Sequence, residues 1–411
     1  MEYRRMGRSG LKVSEICLGT MTFGRGADLG ESRRMVDLAL DRGVTFFDTA
    51  NSYSDAESEV FLGEALKGRR RNVVLATKFF NPMGPGPNDS GMSRVHMMNA
   101  IEDSLSRLQT DYVDLYYIHH VDYQTPLEEM LRAMDDLVHQ GKVRYLAVSN
   151  YQAWRLMEAL WISDANGWSR FECYQPQYSL VVRDIEQELI PLCQYKGLGV
   201  VVWSPLSGGF LTGKYKPGER SHSGSRSEEG WGYPQGYFAQ NADETLRTLL
   251  EVARDLGRSP AQVALRWVVE QPGITAAIVG ARNAEQLEDN LAAGSFRLEG
   301  EYLERLTEVS HLPHRYPEAM ESREKRPFDL TGAVLVFAGV AGLLVAGNRV
   351  PALGAGSPVV LGLGLGGAIL LTLFLIRQLR TSHPLLELSI FRIRAFAAPS
   401  ALSAVALATG A

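Results

Sequence analysis

The run VSEICLGTMTFG at residues 13–24 decides the fold. Its first half, 13–18, reads as a short buried strand, and such an opening leads either into a glycine-rich phosphate turn or onto a barrel rim. The segment that follows, Gly19-Thr20-Met21-Thr22-Phe23-Gly24, lacks the GxGxxG spacing of a doubly wound dinucleotide-binding sheet. Outward from it, runs rich in Val, Ile, Phe and Tyr recur at 44–47, 73–77, 113–118, 145–148, 171–174, 199–203 and 276–279. Between them lie stretches such as 31–41, 93–108, 126–140 and 242–256, with apolar residues at the three- and four-residue spacing of helices. Strict alternation implies parallel strands joined by right-handed crossovers. Eight such units over roughly 300 residues predict an α/β fold, a (β/α)8 TIM barrel, with its active site at the C-terminal ends of the strands.

If so, polar residues should punctuate those ends. Asp48, Lys78, His119, Ser149-Asn150, Gln175, Trp203-Ser204 and Gly280 end strands two to eight in turn. The stretch GVTFFDTANSYSDAESE (43–59) adds Tyr53 in the loop after Asp48, so a carboxylate, a phenol, a lysine and a histidine share one mouth. A free phenol, with a pKa of about 10, is a reluctant acid near neutrality. A lysine ammonium beside Tyr53 would lower that pKa, and Asp48 would hold the lysine charged and oriented. His119 competes with its neighbour His120; alternation along the strand sends the two side chains in different directions.

The chain has 411 residues, 45% of them apolar, and a formal net charge of −5. That length exceeds what one core usually organises, so a large domain plus a second segment is expected. Residues 325–411 carry +5, which leaves −10 on residues 1–324 and argues against a nucleic-acid surface. Cys17, Cys173 and Cys193 are scattered without CxxC spacing, reading as reduced core thiols with no zinc or other metal site. The start, MEYRRMGRSG, lacks the apolar run of a signal peptide, so the catalytic portion is expected in the cytoplasm.

Taken together, GTMTFG (19–24), FFDTANSY (46–53), VLATK (74–78), SLSRLQTDYVDLYYIHHVD (104–122), GKVRYLAVSN (141–150), YQPQYSL (174–180), VVWSPLSGGFLTGKY (201–215) and IVGARNAEQLEDNL (278–291) resemble the aldo-keto reductase superfamily. The pattern is most similar to the branch holding voltage-gated potassium channel beta subunits and bacterial general-stress reductases, and it spans residues 1–324. The resemblance implies a catalytic tetrad of Asp48, Tyr53, Lys78 and His119. It also implies NADPH-dependent reduction of aldehydes or ketones, with Tyr53 as proton donor. A redox-sensing NADP(H)-binding subunit of a membrane partner is the alternative it offers.

Cofactor positions follow from the same resemblance. Ser149, Asn150 and Gln175 match residues that hold the nicotinamide carboxamide, and Trp203 stands where an aromatic stacks on its ring. Gly19, Thr20 and Met21 border the cofactor on the first strand. Ser204, Pro205, Leu206, Gly208, Leu211 and Lys214 resemble residues that cover the pyrophosphate. Gly280, Arg282, Gln286, Asp289 and Asn290 resemble the adenosine clamp, where helix amides suit phosphate and the Arg282 fork suits a 2′-phosphate. NADPH is therefore expected over NADH. Phe23, Phe80, Trp231 and the stretch 313–320 read as pocket walls, although Phe80 and Trp231 serve equally as loop anchors. Residues 218–236, dense in Gly, Ser and charge, read as a flap.

Beyond 324 the chain changes character. Residues 330–347 and 358–376 are uncharged runs long enough to cross a bilayer of about 30 Å, and 395–411 begins a third. Arg323, Lys325 and Arg326 precede the first run, and Arg377, Arg380, Arg392 and Arg394 follow the second. By the positive-inside rule both flanks are cytoplasmic, tethering the barrel to the inner (plasma) membrane. PFDLTGAVLVFAGVAGLLVAGNR, SPVVLGLGLGG and SHPLLELSIFRIRAFA resemble the middle of a fourteen-helix drug:proton antiporter of the major facilitator superfamily. Two helices and part of a third cannot build two pseudo-symmetric halves, so the segment reads either as an anchor or as the residue of a fusion. The sequence sets no oligomeric state.

Overall fold

The barrel begins one segment later than the sequence pattern implies. The computed structural model describes residues 1–219, 222, 240–312 and 329–381. The apolar run at 13–18 is divided between two strands: β2 (Lys12–Ser14) pairs antiparallel with β1 (Tyr3–Arg5), and β3 (Ile16–Gly19) starts the barrel. Glu15 breaks the run because its buried carboxylate turns aside to meet Arg4 at 2.8 Å and Arg266 at 3.2 Å. A charge buried that deeply is tolerable only when paired.

β4 (Phe46–Asp48), β5 (Val74–Phe79), β6 (Val113–Ile118), β7 (Val143–Ser149), β8 (Phe171–Gln175), β9 (Gly199–Val202) and β10 (Ile274–Val279) complete an eight-stranded parallel barrel. Closure comes from β10, which pairs with β9 on one side and with β3 on the other, Ala277 opposite Ile16. The interior is filled by Met6, Cys17, Phe46, Ala76, Leu115, Tyr117, Ala147, Cys173, Val201 and Ala276. It is a packed core and not a pore, as eight strands require. Met6 enters from below, carried by the turn between β1 and β2, which covers the N-terminal end of the barrel.

Helices α1 (Leu29–Asp41), α2 (Glu57–Ala65), α3 (Arg94–Leu108), α4 (Leu127–His139), α5 (Ala153–Asn166) and α6 (Leu189–Lys196) follow β3 to β8 in turn. α7 (Ala242–Leu256), α8 (Pro260–Glu270), α9 (Ala284–Leu291) and α10 (Gly300–Val309) close the outer layer. Their starts are set by local chemistry: Asp28, Ser93, Ser259 and Asn283 accept hydrogen bonds from amides three residues on, with Pro260 at the first position of α8. α5, α6 and α7 stop at Gly167, Gly197 and Gly257, each in the left-handed conformation glycine adopts freely. All three cysteines are free and buried.

The chain divides into two compact units, Met1–Arg315 and Tyr316–Ala411. The boundary drawn from sequence at 324/325 falls in 313–328, outside the described residues, as do the pocket-wall stretch 313–320, Trp231, most of the flap at 218–236 and the third apolar run at 395–411. In the second unit α11 (Leu330–Leu353) and α12 (Pro358–Arg380) pack side by side, each extending past its predicted end. Glycine makes the approach possible: a Cβ on Gly367 would lie 2.8 Å from the Gly339 carbonyl oxygen. Asp329 caps α11 and accepts hydrogen bonds from Arg377 Nε at 2.9 Å and Gln378 Nε2 at 3.1 Å, pinning the open end of the pair. Both helices are apolar and long enough to span a bilayer, and little of either is buried.

Candidate active site

The C-terminal mouth of the barrel opens into a cavity of about 770 Å³, a size suited to a cofactor with a small substrate. Asp48 is the last residue of β4, and Tyr53 lies five residues on in the loop before α2. That loop is held by Ser58, whose Oγ pairs with Thr20 Oγ1 at 2.8 Å and Thr49 Oγ1 at 2.9 Å. Lys78 comes up from β5 and is fully buried behind them. Its ammonium donates to an Asp48 carboxylate oxygen, to the Thr49 carbonyl at 2.8 Å and to the Tyr53 hydroxyl at 3.3 Å. The other Asp48 oxygen accepts from Gln175 Nε2 at 2.9 Å.

Electrostatics at this cluster differ from the simplest reading of its residues. Burial pushes the Tyr53 phenol above its ordinary pKa, and the Lys78 ammonium opposes that only in part. Sequence reasoning weighed the ammonium and left out desolvation, which is the larger effect here. Burial lowers the Lys78 pKa, but Asp48 and Tyr53 more than restore it, so the ammonium stays charged. His119 is held well below its usual pKa by burial, by Lys78 and by His120, and is a neutral imidazole.

His119 and His120 do not diverge. Both follow Ile118, the last residue of β6, so strand alternation no longer governs them; their rings stack 4.6 Å apart at 7°, and both line the cavity. Around the rest of the mouth, Ser149 Oγ donates to the Gln175 carbonyl at 2.7 Å, and Asn150 Nδ2 donates to the His119 carbonyl at 3.0 Å. Trp203 Nε1 donates to Asn150 Oδ1 at 3.1 Å, which fixes the indole at the cavity wall. Asn150, Ser204 and Ser207 have φ of 61°, 55° and 48°, and Ser54, Asp55 and Ala56 after Tyr53 have 52°, 50° and 75°. Left-handed backbone at non-glycine residues clusters at functional sites because surrounding contacts must enforce it.

Residues 15–311 match the family model described as "Aldo/keto reductase family". The chain belongs to that family. A Bacillus subtilis (strain 168) protein named uncharacterized oxidoreductase YrpG is 39% identical over 320 residues, covering 75% of this chain and 96% of its own. A probable voltage-gated potassium channel subunit beta from Oryza sativa subsp. japonica is 37% identical over 301 residues, covering 71% of this chain and 91% of its own. Versiconal hemiacetal acetate reductase of Aspergillus parasiticus is 33% identical, covering 79% of this chain and all of its own length. General oxidoreduction is the chemistry this membership carries. The family match stops at 311, so the likeness of the tail to an antiporter has only its own sequence behind it.

This aldo/keto reductase gathers nearly all of the residues singled out from sequence. Gly19, Met21, Asp48, Tyr53, His119, Ser149, Asn150, Gln175, Trp203, Ser204, Pro205, Leu206, Gly208, Lys214, Gly280, Arg282, Gln286, Asp289 and Asn290 all line the cavity. Lys78, Thr20 and Leu211 do not; Lys78 reaches the site from behind, through Asp48 and Tyr53. Thr20 points to Ser58 and supports the Tyr53 loop, and Leu211 is fully buried in the core. Asp289 is engaged by Ser259 Oγ at 2.9 Å and Gln262 Nε2 at 2.6 Å, so α8 orients it.

Near the start of α9, amides that the sequence left for phosphate already have partners. The Ala284 amide donates to Glu31 at 2.6 Å, the Gln286 amide to Asn283 Oδ1 at 2.9 Å, and the Arg282 amide to Gln286 Oε1 at 3.1 Å. Positive charge at this end of the cavity comes from the side chains of Arg282 and Lys214. Thr22, Gly209, Thr212, Ala261, Ile278, Val279, Ala281 and Glu285 also line the cavity and were not singled out from sequence, and His120, weighed there as the competitor of His119, lines it too. Ala281 and Glu285 flank motif positions and could have been found by extending them. Ala261 is placed by α8, from which no motif residue was drawn.

Proposed function

We propose that the barrel reduces aldehydes or ketones to alcohols with NADPH, and that Tyr53 is the proton donor. The observation that carries this reading is the buried Lys78 ammonium, in hydrogen-bond reach of both Asp48 and the Tyr53 hydroxyl. When bound, the cofactor supplies the hydride. The chain supplies the proton. Burial keeps the phenol protonated, so Tyr53 holds a proton to give, and the adjacent ammonium stabilises the phenolate left behind. Asp48 keeps Lys78 charged and in place. Neutral His119 meets the Tyr53 ring edge-on, 5.8 Å between centroids, and is suited to orient a carbonyl oxygen toward the phenol.

The cavity residues fit a nicotinamide cofactor. Ser149, Asn150 and Gln175 offer amide and hydroxyl groups for a carboxamide, and the Trp203 face offers a stacking surface. Gly208 and Gly209 take left-handed turns, φ 63° and 96°; a Cβ on Gly209 would lie 2.9 Å from the Lys214 ammonium, so glycine makes room for that cation. Arg282 presents a planar fork matched to a 2′-phosphate, which favours NADPH over NADH.

A second reading is favoured by two observations, the relatives named as channel beta subunits and the apolar pair α11 and α12. It makes the barrel an NADP(H)-binding regulatory module of a membrane partner, held at the cytoplasmic face by its tail. The domain boundary near residue 324 belongs to the same proposal.

The deciding experiment measures NADPH oxidation by the full chain with 4-nitrobenzaldehyde and methylglyoxal, beside Tyr53→Phe. Turnover in the native chain that falls by about 10²–10⁴-fold in the variant, with NADPH binding retained, supports the reductase and its acid. Substantial turnover in Tyr53→Phe removes Tyr53 as the donor. Tight NADPH binding with no turnover in the native chain transfers support to the regulatory module. Fractionation of the same cells checks the tether: recovery of the chain without membranes would sink it.

A further inference from the structure

We infer that His120 is a positioning residue that sets the ring orientation of His119, an inference that rests on the carbonyl-reduction reading for its kinetic consequence. The backbone of His119 is fixed on both sides: its amide donates to the Phe79 carbonyl at 3.1 Å and its carbonyl accepts from Asn150 Nδ2 at 3.0 Å. Its ring is not fixed in the usual way. A histidine that works through one nitrogen is ordinarily oriented by a hydrogen bond at the other. Here Nδ1 is buried and has no hydrogen-bond partner among the described residues.

Flat surfaces hold the ring instead. The His120 imidazole lies face to face with it, centroids 4.6 Å apart and planes 7° from parallel, while the Tyr53 ring meets it edge-on. His120 is itself braced by Phe80, whose ring stands edge-on at 5.4 Å and 69°. The series Phe80, His120, His119, Tyr53 therefore runs from Phe80, which stands outside the cavity lining, to the proton donor by ring contacts. Rotation of the His119 ring out of plane would sacrifice the stack, so the second histidine does what a hydrogen-bond acceptor does elsewhere. It needs planarity for this and not a titrating nitrogen, which separates it from a role as a second acid or as a substrate hydrogen-bond donor.

The test compares His120→Ala with His120→Phe in the full chain, using NADPH and 4-nitrobenzaldehyde. His120→Ala is expected to lower kcat about three- to tenfold with KM for the aldehyde nearly unchanged, and His120→Phe, which restores a flat face without nitrogen, to recover kcat to within about twofold. NADPH affinity and the thermal midpoint should stay constant in both. A native kcat in His120→Ala, or a His120→Phe chain as impaired as the alanine one, overturns the proposal. A readout independent of turnover is the histidine ring spectrum of isotopically labelled protein, with His119 assigned through His119→Asn. The ring-current shift of His119 should be lost in His120→Ala and kept in His120→Phe; an unchanged resonance in His120→Ala overturns the proposal. A native chain that turns over no aldehyde defeats the carbonyl-reduction reading alone, and the spectrum still decides the positioning.

Discussion

At the N-terminal end of the barrel the chain enters strands through glycine, with Gly43, Gly141, Gly197 and Gly273 in left-handed turns before β4, β7, β9 and β10. Glu15 is paired there with Arg4 and Arg266, while Arg170 Nε and Glu172 Oε2 at the start of β8 lack hydrogen-bond partners among the described residues. At the C-terminal end the left-handed positions include, beside Gly24, Gly208 and Gly209, the non-glycine residues Ser54, Asp55, Ala56, Asn150, Ser204 and Ser207, and buried polar atoms of Asn51, Ser54 and His119 lack hydrogen-bond partners among the described residues. One end is arranged for stability; the other accepts local cost to hold reactive groups in place. The contrast is measurable, because substitutions at the two ends should move different observables.

The largest effect is expected at Lys78. Lys78→Met leaves the buried Asp48 carboxylate without its cation and should cost about 3–5 kcal/mol of stability by denaturant titration, together with most of any activity. Both observables should fall at this rim site, and a native unfolding midpoint would show that the pair contributes nothing to folding. Gly7→Ala should lower stability by about 2–4 kcal/mol and leave kcat unchanged, since its φ is +54° and a Cβ would lie 2.2 Å from the Gly197 carbonyl oxygen. A fall in kcat without a fall in stability would erase the division between the ends.

A pH series sharpens the comparison further. His96, His119 and His120 all have folded pKa values below the ordinary one, chiefly through burial. The unfolded chain therefore takes up protons first as pH falls below about 6.5, so stability is full above that value and declines beneath it, by up to about 1.4 kcal/mol per pH unit for each histidine. Replacing His119 with asparagine should flatten the decline between about pH 6.5 and 5. An unchanged slope would mean that the rim histidine is protonated in the folded state. The smallest effect is a gain: Ala56→Gly, at φ 75°, should raise stability by about 1 kcal/mol. A loss would show that the alanine methyl packs usefully and that the loop is not strained.

Much of this was legible in the chain itself. Eight strands and the polar residues at their ends could be read because a parallel barrel buries both faces of each strand and exposes only the mouth. The N-terminal hairpin was not legible: β1 and β2 have three residues each, too few for a period, and the apolar run through Glu15 looks continuous until the long-range partners Arg4 and Arg266 are known. The direction of His120 failed for a different reason. Alternation is a property of strands, and β6 ends at Ile118. The pKa of Tyr53 required the depth of burial, which no residue pattern states, and Thr20 and Leu211 sit in matching motif positions but turn into the core.

The pairing of β10 with β3 closes the barrel by joining residues from opposite ends of the domain. During synthesis the first seven barrel strands emerge before β10, the strand that pairs with both of the edges they leave bare. The cavity straddles that seam, with Gly19 on one side and Ile278 to Arg282 on the other. Asp48, Tyr53 and Lys78 are therefore all made well before the far side of the cavity, and the apolar helices leave the ribosome only after the strand that closes the barrel.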